Sequence, residues 1–359
     1  MVKTVRPESA TTPPTASVPC SRPARRWRRA LKGTARVAIA AAILGYLFGQ
    51  VPAAEVLRSV ANAGAGGLLG AVLVVFVLQL VAADRLRRLA NAYGVELSSW
   101  ALFKINLATL FYGLCLPAGN ITGFIARLYM MSASPKQYFD VALALSCDRV
   151  VATVMLCVVG IGFWLLAWPL DAWHVLVIML AALVGLLLLQ AALFVQLPFP
   201  LPRSLWPAKL GLLRDALHRS RSLPRVTLGW AFGLALVMHL LGTAAYGLVA
   251  SALHLDLSLA TVGWTRAAAM LAAILPISVA GLGVREGVLV LLLAPYAVPA
   301  PDALAYGLLA FAVTVLAPGM VGALIEADRL LIRPLLDQAR GARRPLSNPP
   351  QDRARAPNG

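Results

Sequence analysis

Charged residues are scarce in this 359-residue chain, and acidic residues are the scarcest of them. Asp, Glu, Lys and Arg make up 13% of the chain, with 15 acidic against 32 basic side chains, while 60% of the residues are hydrophobic. Soluble domains carry about 25% charged residues, so the composition excludes an ordinary soluble protein. The net charge of +17 does not indicate nucleic-acid binding, because the basic residues flank apolar segments instead of forming one face.

Cysteine and histidine are also rare, with four of each. Cys20, Cys115, Cys147 and Cys157 show no paired spacing. Three of them lie in apolar segments, where a free cysteine behaves as a small hydrophobic residue. The histidines are scattered. We therefore predict neither a disulfide framework nor a metal site, and we expect no cofactor.

Long apolar runs are what the sequence has in abundance. Six of them are long enough to cross a hydrocarbon core of about 30 Å: 34–50, 66–83, 140–167, 173–197, 228–253 and 303–325. Two further apolar regions, 101–131 and 262–296, are interrupted by Gly, Pro and polar residues. We predict a transmembrane domain over 34–330 between disordered basic tails at 1–33 and 331–359.

The first apolar run has a second interpretation as a cleavable signal peptide, since "VPAAE" follows it. We favour an uncleaved first span, because a long tail precedes it and because the topology below needs this crossing.

The distribution of Lys and Arg predicts which loops face the cytoplasm. Nine lie in the tail through Arg36, three in 84–100, six in 198–226 and seven after residue 325, whereas 168–172, 254–261 and 297–302 have none. Cytoplasmic loops are the Lys/Arg-rich ones. The prediction is therefore a multi-pass plasma-membrane protein with both termini in the cytoplasm.

This assignment requires both interrupted regions to return to the side from which they start. Region 101–131 lies between an inside loop and a span that ends outside, and region 262–296 begins and ends outside. We predict two re-entrant hairpins, since irregular backbone at membrane depth needs protein or a water-filled cavity around it. The competing reading makes 101–117 and 118–139 separate crossings, but the second is short and contains Arg127 and Lys136.

The predicted fold is an all-α polytopic membrane protein with about six full spans and two re-entrant hairpins. The order span, span, hairpin, span occurs twice, in 34–167 and in 173–325, with opposite orientations. This is an inverted-topology repeat, in which substrate sites lie near the midplane between broken helices. The evidence for it is topological, and no strong residue-level similarity between the halves is apparent.

The motif "LPISVAGLGVRE" over 275–286 interrupts the second broken region. Pro276 ends a half-helix by removing a backbone donor, and Gly281 and Gly283 permit positive φ. A second half-helix is predicted to begin near Val284. Its free N–H groups and the Arg285 guanidinium would then form an anion site. Glu286 lies in the same first turn, where it can pair with Arg285.

The first broken region, "LCLPAGNITGFIARLY", has a similar composition. Pro117, Gly119 and Gly123 mark its tip, Asn120 is an uncharged hydrogen-bonding group there, and Arg127 follows on the return limb. Three further ionisable residues lie inside apolar segments: Asp148, Arg149 and Arg266. Insertion of such a residue at the bilayer centre costs about 2.5–3.5 kcal/mol, so we expect each to have a role in the protein interior. They either pair with one another and hold the two repeats together, or they take part in coupling. Arg85, Arg87 and Arg88 are interpreted only as topology determinants.

The second motif closely resembles that of the lysylphosphatidylglycerol synthetase transmembrane family, also described as flippase-like integral membrane proteins. The resemblance covers roughly 35–330 and includes the Gly-rich first motif and an acidic-Arg pair at Asp148 and Arg149. The matching residues in the second motif are Pro276, Ser278, Gly281, Gly283, Arg285 and Glu286. We predict substrate binding by Arg285, Glu286, Gly281, Gly283, Ser278, Arg127 and Asn120. Structural or coupling roles are predicted for Asp148, Arg149, Pro276, Pro117, Gly119 and Arg266.

The resemblance implies movement of a lipid across the membrane, and an arginine-lined cavity suits a phosphate headgroup. The expected partner is an anionic phospholipid or a polyprenyl-phosphate-type lipid, and an oligomer is possible. Members that aminoacylate lipids carry an added soluble transferase domain, so we do not expect that activity here and assign no catalytic residue. Two alternatives stay open: a membrane-embedded transferase acting on a lipid-linked donor, and a transporter of a soluble anion.

Overall fold

The computed structural model describes residues 49, 52–115, 120–134, 137–194, 223–274 and 281–329. All of the regular elements in these ranges are helical. We number the α-helices in chain order: α1 (Ala53–Ala61), α2 (Ala65–Ala92), α3 (Ser99–Cys115), α4 (Asn120–Met131), α5 (Tyr138–Ala167), α6 (Trp173–Phe194), α7 (Arg225–Ala252), α8 (Leu259–Ile274), α9 (Val284–Leu293), α10 (Ala300–Phe311) and α11 (Ala317–Ala327). A π-helical turn, Ala312–Leu316, joins α10 to α11.

Four helices in the described ranges are long and apolar enough to cross a membrane: α2, α5, α7 and the continuous helix from Ala300 to Ala327. They correspond to the predicted spans 66–83, 140–167, 228–253 and 303–325. The predicted span 173–197 corresponds to α6, which the structure describes over Trp173–Phe194. Apart from Gly49, the predicted span 34–50 and both tails lie outside the described residues. The membrane-embedded helical character is confirmed, while the count of six spans stays a prediction.

Helix α2 continues nine residues beyond the predicted end of its span at 83, through a charged segment. Asp84 pairs with Arg87 at 2.8 Å and with Arg88 at 2.9 Å, one turn further along the helix. Such i,i+3 and i,i+4 pairs stabilise a helix. Hydropathy locates the lipid-facing part of this element, whereas the helix itself ends at the next cap.

Each broken region forms two short helices, as its Gly and Pro residues predict. Helices α3 and α4 occupy 101–131, and α8 and α9 occupy 262–296. Residues 116–119 and 275–280, at the two tips, lie outside the described residues. The re-entrant course of these pairs stays a prediction. The sequence analysis did not predict α1, which lies in the connection 51–65.

The long helices α2 and α7 form the central pair of the fold and run antiparallel. Gly64, just before α2, donates its N–H to the carbonyl of Ala252 at the end of α7 (2.8 Å). Gly67 faces the Ala252 side chain and the Leu248 carbonyl, and a Cβ there would lie about 3.0 Å from Ala252 Cβ. Small residues permit such close approach between membrane helices.

The two remaining long helices each pack against the first helix of a broken region. Gly322 of α11 lies against the backbone of Leu107 in α3, and Gly319 lies against Leu114 further along it. Likewise, Gly160 of α5 faces Ala267 of α8, and Phe163 fills the space beside Gly263. In both pairs the helices run antiparallel, so the last helix of each sequence half packs on the broken region of the other half.

A local match between the halves lies in the loops that follow α2 and α7. Residues 92–98 read "AYGVELS" and residues 252–258 read "ALHLDLS", at an offset of 160. Val95 N–H bonds the Ala90 carbonyl at 2.9 Å, and Leu255 N–H bonds the Ala250 carbonyl at 3.0 Å. Gly94 and His254 occupy the same left-handed position, at φ +77° and +57°. Both loops are therefore Schellman caps, a local match between the halves that was not predicted from the sequence.

Candidate functional site

The second motif turns where its glycines predict. Gly281 and Gly283 have φ of +78° and +87°, and α9 begins at Val284 as expected. A Cβ on Gly281 would meet Ala273 Cβ at 2.7 Å, so this position needs glycine for both space and conformation. The turn directs the first residues of α9 into the protein interior.

Arg285 and Glu286 form a buried ion pair directly after this turn. Arg285 Nη2 donates to Glu286 Oε1 at 2.7 Å, and the two side chains are 2% and 0% exposed. Glu286 Oε2 accepts the Gly283 N–H at 2.6 Å, which satisfies a free donor of the helix N-terminus. The Arg285 guanidinium also lies over the Phe311 ring, 5.0 Å from its centroid. The chain thus supplies its own anion at this helix end, and direct substrate contact by Arg285 stays a prediction.

Arg266 of α8 is a buried cation of a different kind. It is 7% exposed and makes no ion pair with any residue that the structure describes. Its Nη1 lies 3.5 Å from the His239 carbonyl oxygen, at the limit of a hydrogen bond, and its Nε has no acceptor. Gly242 leaves room for the guanidinium, which lies 5.5 Å from the centroid of the Tyr246 ring.

Neutral donors without partners surround this part of the interior. The Tyr306 hydroxyl is buried without a hydrogen-bond partner among the described residues. Its ring packs edge to face on the Tyr246 ring at 5.9 Å, and the Tyr246 hydroxyl interacts with Arg285. The hydroxyl of Thr243, one turn before Tyr246, is also unpartnered. Buried polar groups in proteins are nearly always paired. Unpaired donors beside an unneutralised arginine indicate a place for an anion or for water.

Arg127 has a similar position in the first broken region. Its Nη2 donates to Thr109 Oγ1 of α3 at 3.1 Å, while its Nε is buried without an acceptor. The charges that act on it are Arg149, Asp148 and Arg85. The neighbouring Asn106 Oδ1 is also buried and unpartnered. Arg127 is thus near one carboxylate that already has a partner.

That partner is Arg85, which corrects the prediction of a topology role alone. Arg85 Nε donates to Asp148 Oδ1 at 2.8 Å, and the two side chains are 4% and 7% exposed. Arg149 is exposed and extends from the same helix. Neighbours in sequence point to different sides of a helix, so Asp148 pairs across to α2 while Arg149 does not share this contact.

The two groups of arginines meet at α7. Arg85 Nη1 lies 3.5 Å from Met238 Sδ, and Arg266 Nη1 points to the carbonyl of the next residue, His239. The His239 ring bonds the Ala152 carbonyl of α5 at 2.8 Å. Residues from both broken regions are therefore brought to one central place. We call Arg85, Arg127, Asp148, Arg266, Arg285 and Glu286 the central charge group.

The central charge group has more cations than anions. Asp148 pairs with Arg85 and Glu286 with Arg285. Arg127 and Arg266 are left without a carboxylate among the residues that the structure describes. The group therefore has a net charge of about +2 at neutral pH, since arginine stays protonated in proteins.

Some predicted site residues cannot be placed. Pro117, Gly119, Pro276 and Ser278 lie outside the described residues, and Asn120 is described only as the first residue of α4. Sequence reasoning missed Arg85, Tyr246 and Tyr306. Arg85 lies close to Arg87 and Arg88 near the end of α2, and all three were therefore interpreted as topology determinants. The two tyrosines lie in apolar runs, where only their helical spacing toward the core could have drawn attention to them.

Comparison with known protein families identifies the family to which the chain belongs. The chain matches no curated protein. A family model described as the lysylphosphatidylglycerol synthase TM region covers residues 33–322, which is most of the chain and includes both broken regions and the whole central charge group. The chain belongs to the lysylphosphatidylglycerol synthase transmembrane-region family.

Proposed function

We propose that this chain is a lipid transporter that moves an anionic phospholipid or a polyprenyl-phosphate-type lipid between the leaflets of the plasma membrane. The observation that carries the proposal is the unneutralised charge of Arg127 and Arg266, whose Nε atoms are buried within the helical domain without an acceptor among the described residues. Desolvated charge without a partner is costly. A phosphate group from a lipid is an anion that could offset this cost.

The path of the backbone supports an alternating route for the headgroup. Helices α2 and α7 are antiparallel, and each sequence half places its last helix on the broken region of the other. An inverted repeat built from re-entrant hairpins has this pattern, and its two halves can open in turn to either leaflet. In this scheme Arg127 and Arg266, one from each hairpin, receive the phosphate in succession.

Asp148 and Glu286 have a separate task in the proposed mechanism. Each holds one arginine in a fixed ion pair, so Arg85 and Arg285 shape the positive interior without binding the headgroup strongly. In this mechanism the unpaired Arg127 and Arg266 attract the phosphate. The pairing of Arg85 and Arg285 limits the total attraction, so that the phosphate can be released. Both termini are proposed to face the cytoplasm.

Reconstitution into liposomes tests the proposal. Arg266→Gln and Arg127→Gln should each slow the movement of fluorescent phosphatidylglycerol about tenfold or more, since hydrogen bonds to charged groups contribute about 1.5–3 kcal/mol. Arg58→Gln is the matched control, because Arg58 is exposed on α1. Rates are normalised to monodisperse protein. Wild-type rates in both variants would contradict the proposal, and so would equal movement of phosphatidylcholine.

A further inference from the structure

A cavity of about 540 Å³ lies where α3 begins and α11 ends, and no residue of the central charge group lines it. Its walls are mainly apolar, from residues such as Leu97, Ile105 and Leu324. Four charged residues also line it: Lys104, Glu326, Asp328 and Arg329. Cavities of this size bind small ligands, and a few polar groups in an apolar wall fix their orientation.

Glu326 is the chemically unusual residue of this cavity. The residue is 3% exposed, and Tyr112 donates its hydroxyl proton to Oε2 at 3.0 Å. The other oxygen, Oε1, is buried and has no hydrogen-bond partner in the part of the chain that the structure describes. The distance from Arg329 Nη1 to this oxygen is 3.6 Å, which is too long for a hydrogen bond. The Arg329 side chain is 56% exposed. A buried carboxylate oxygen therefore lacks a donor.

We propose that this cavity binds a phospholipid whose headgroup carries a primary ammonium next to its phosphate, as in phosphatidylethanolamine. The ammonium donates to Glu326 Oε1, and Lys104 and Arg329 at the rim face the phosphate. The apolar wall accommodates the start of an acyl chain. A quaternary ammonium has no N–H to donate, so phosphatidylcholine leaves Oε1 unsatisfied.

This site is independent of the transport proposed above. It differs in place, since it lies at the end of α11, and in chemistry, since it recognises an ammonium through a carboxylate. A binding measurement therefore tests it whether or not the protein moves lipids.

The experiment uses the full chain in phosphatidylcholine nanodiscs, alone or with an equal share of phosphatidylethanolamine or phosphatidylglycerol. Retained lipid is counted by native mass spectrometry, and thermal unfolding is followed in parallel. We expect preferential retention and a raised Tm with phosphatidylethanolamine only. Equal retention of the three lipids, or preference for phosphatidylglycerol, would overturn the proposal.

Variants separate recognition from folding. Glu326→Gln should reduce the preference for phosphatidylethanolamine about tenfold or more, because the charge-assisted bond is lost. Tyr112→Phe removes the neighbouring hydroxyl but keeps the carboxylate, so the preference should persist. Glu96→Gln makes the same change at an exposed position nearby and should have no effect. An undiminished preference in Glu326→Gln would exclude Glu326 as the ammonium ligand.

A last arm distinguishes a lipid from a soluble molecule with the same headgroup. Water-soluble phosphoethanolamine, added to phosphatidylcholine nanodiscs, carries the ammonium and the phosphate without acyl chains. We expect no rise in Tm at the concentration at which the lipid raises it, because the apolar wall stays unfilled. An equal rise would show that the cavity takes a soluble ligand and would overturn the lipid assignment.

Discussion

The ion pair between Arg85 and Asp148 is the contact that most clearly separates structural from functional charge. Both side chains are almost fully buried, and removal of one partner leaves an uncompensated charge, which costs about 3–5 kcal/mol. Asp148→Asn should therefore lower the Tm and the folded yield strongly. The double variant Arg85→Leu, Asp148→Leu should recover most of the loss, because apolar pairs often replace buried ion pairs without a stability cost.

Arg149→Gln is the matched control for that prediction, since Arg149 is adjacent in sequence but exposed. Thermal unfolding of the purified variants in one detergent is the measurement. A Tm for Arg149→Gln as low as that for Asp148→Asn would contradict the assignment of the stabilising ion pair to Asp148.

At the scale of helices, glycines at contact points are predicted to matter far more than glycines that face outward. A Cβ on Gly322 would overlap the backbone of Leu107, whereas nothing lies within 4 Å of a Cβ on Gly162. Gly322→Ala should thus separate α11 from α3 and destabilise the fold by about 1–3 kcal/mol. Gly162→Ala should be neutral or stabilising by up to about 1 kcal/mol, because alanine favours the helix. Equal Tm values for the two variants would contradict this packing.

The helices also show what could be predicted from the sequence. Long apolar runs and Gly/Pro breaks located the long helices and both broken regions, and the start of α9 at Val284 followed from glycine chemistry. The extension of α2 was missed because local ion pairs, not hydropathy, carry that helix forward. The partner of Asp148 was missed because it lies 63 positions away in the chain, and no local pattern encodes such a contact.

For the whole molecule, the distribution of basic loops predicts which connections face outward. In a background without the native cysteines, Leu170→Cys and Ala300→Cys should react with an impermeant thiol reagent applied to intact cells. Asp215→Cys should not react, because six basic residues in its loop hold it in the cytoplasm. Labelling at 215 but not at 170 or 300 would reverse the proposed orientation.

The π-helical turn between α10 and α11 has a mechanical consequence. Pro318 has no N–H for the helix ladder, and the turn Ala312–Leu316 absorbs this irregularity. On one side of the joint, Gly307 packs on Glu286 and Phe311 on Arg285. On the other, Glu326 borders the 540 Å³ cavity. We expect this joint to act as a pivot, so that the segment that packs on the Arg285–Glu286 pair can tilt without moving the segment that borders the cavity.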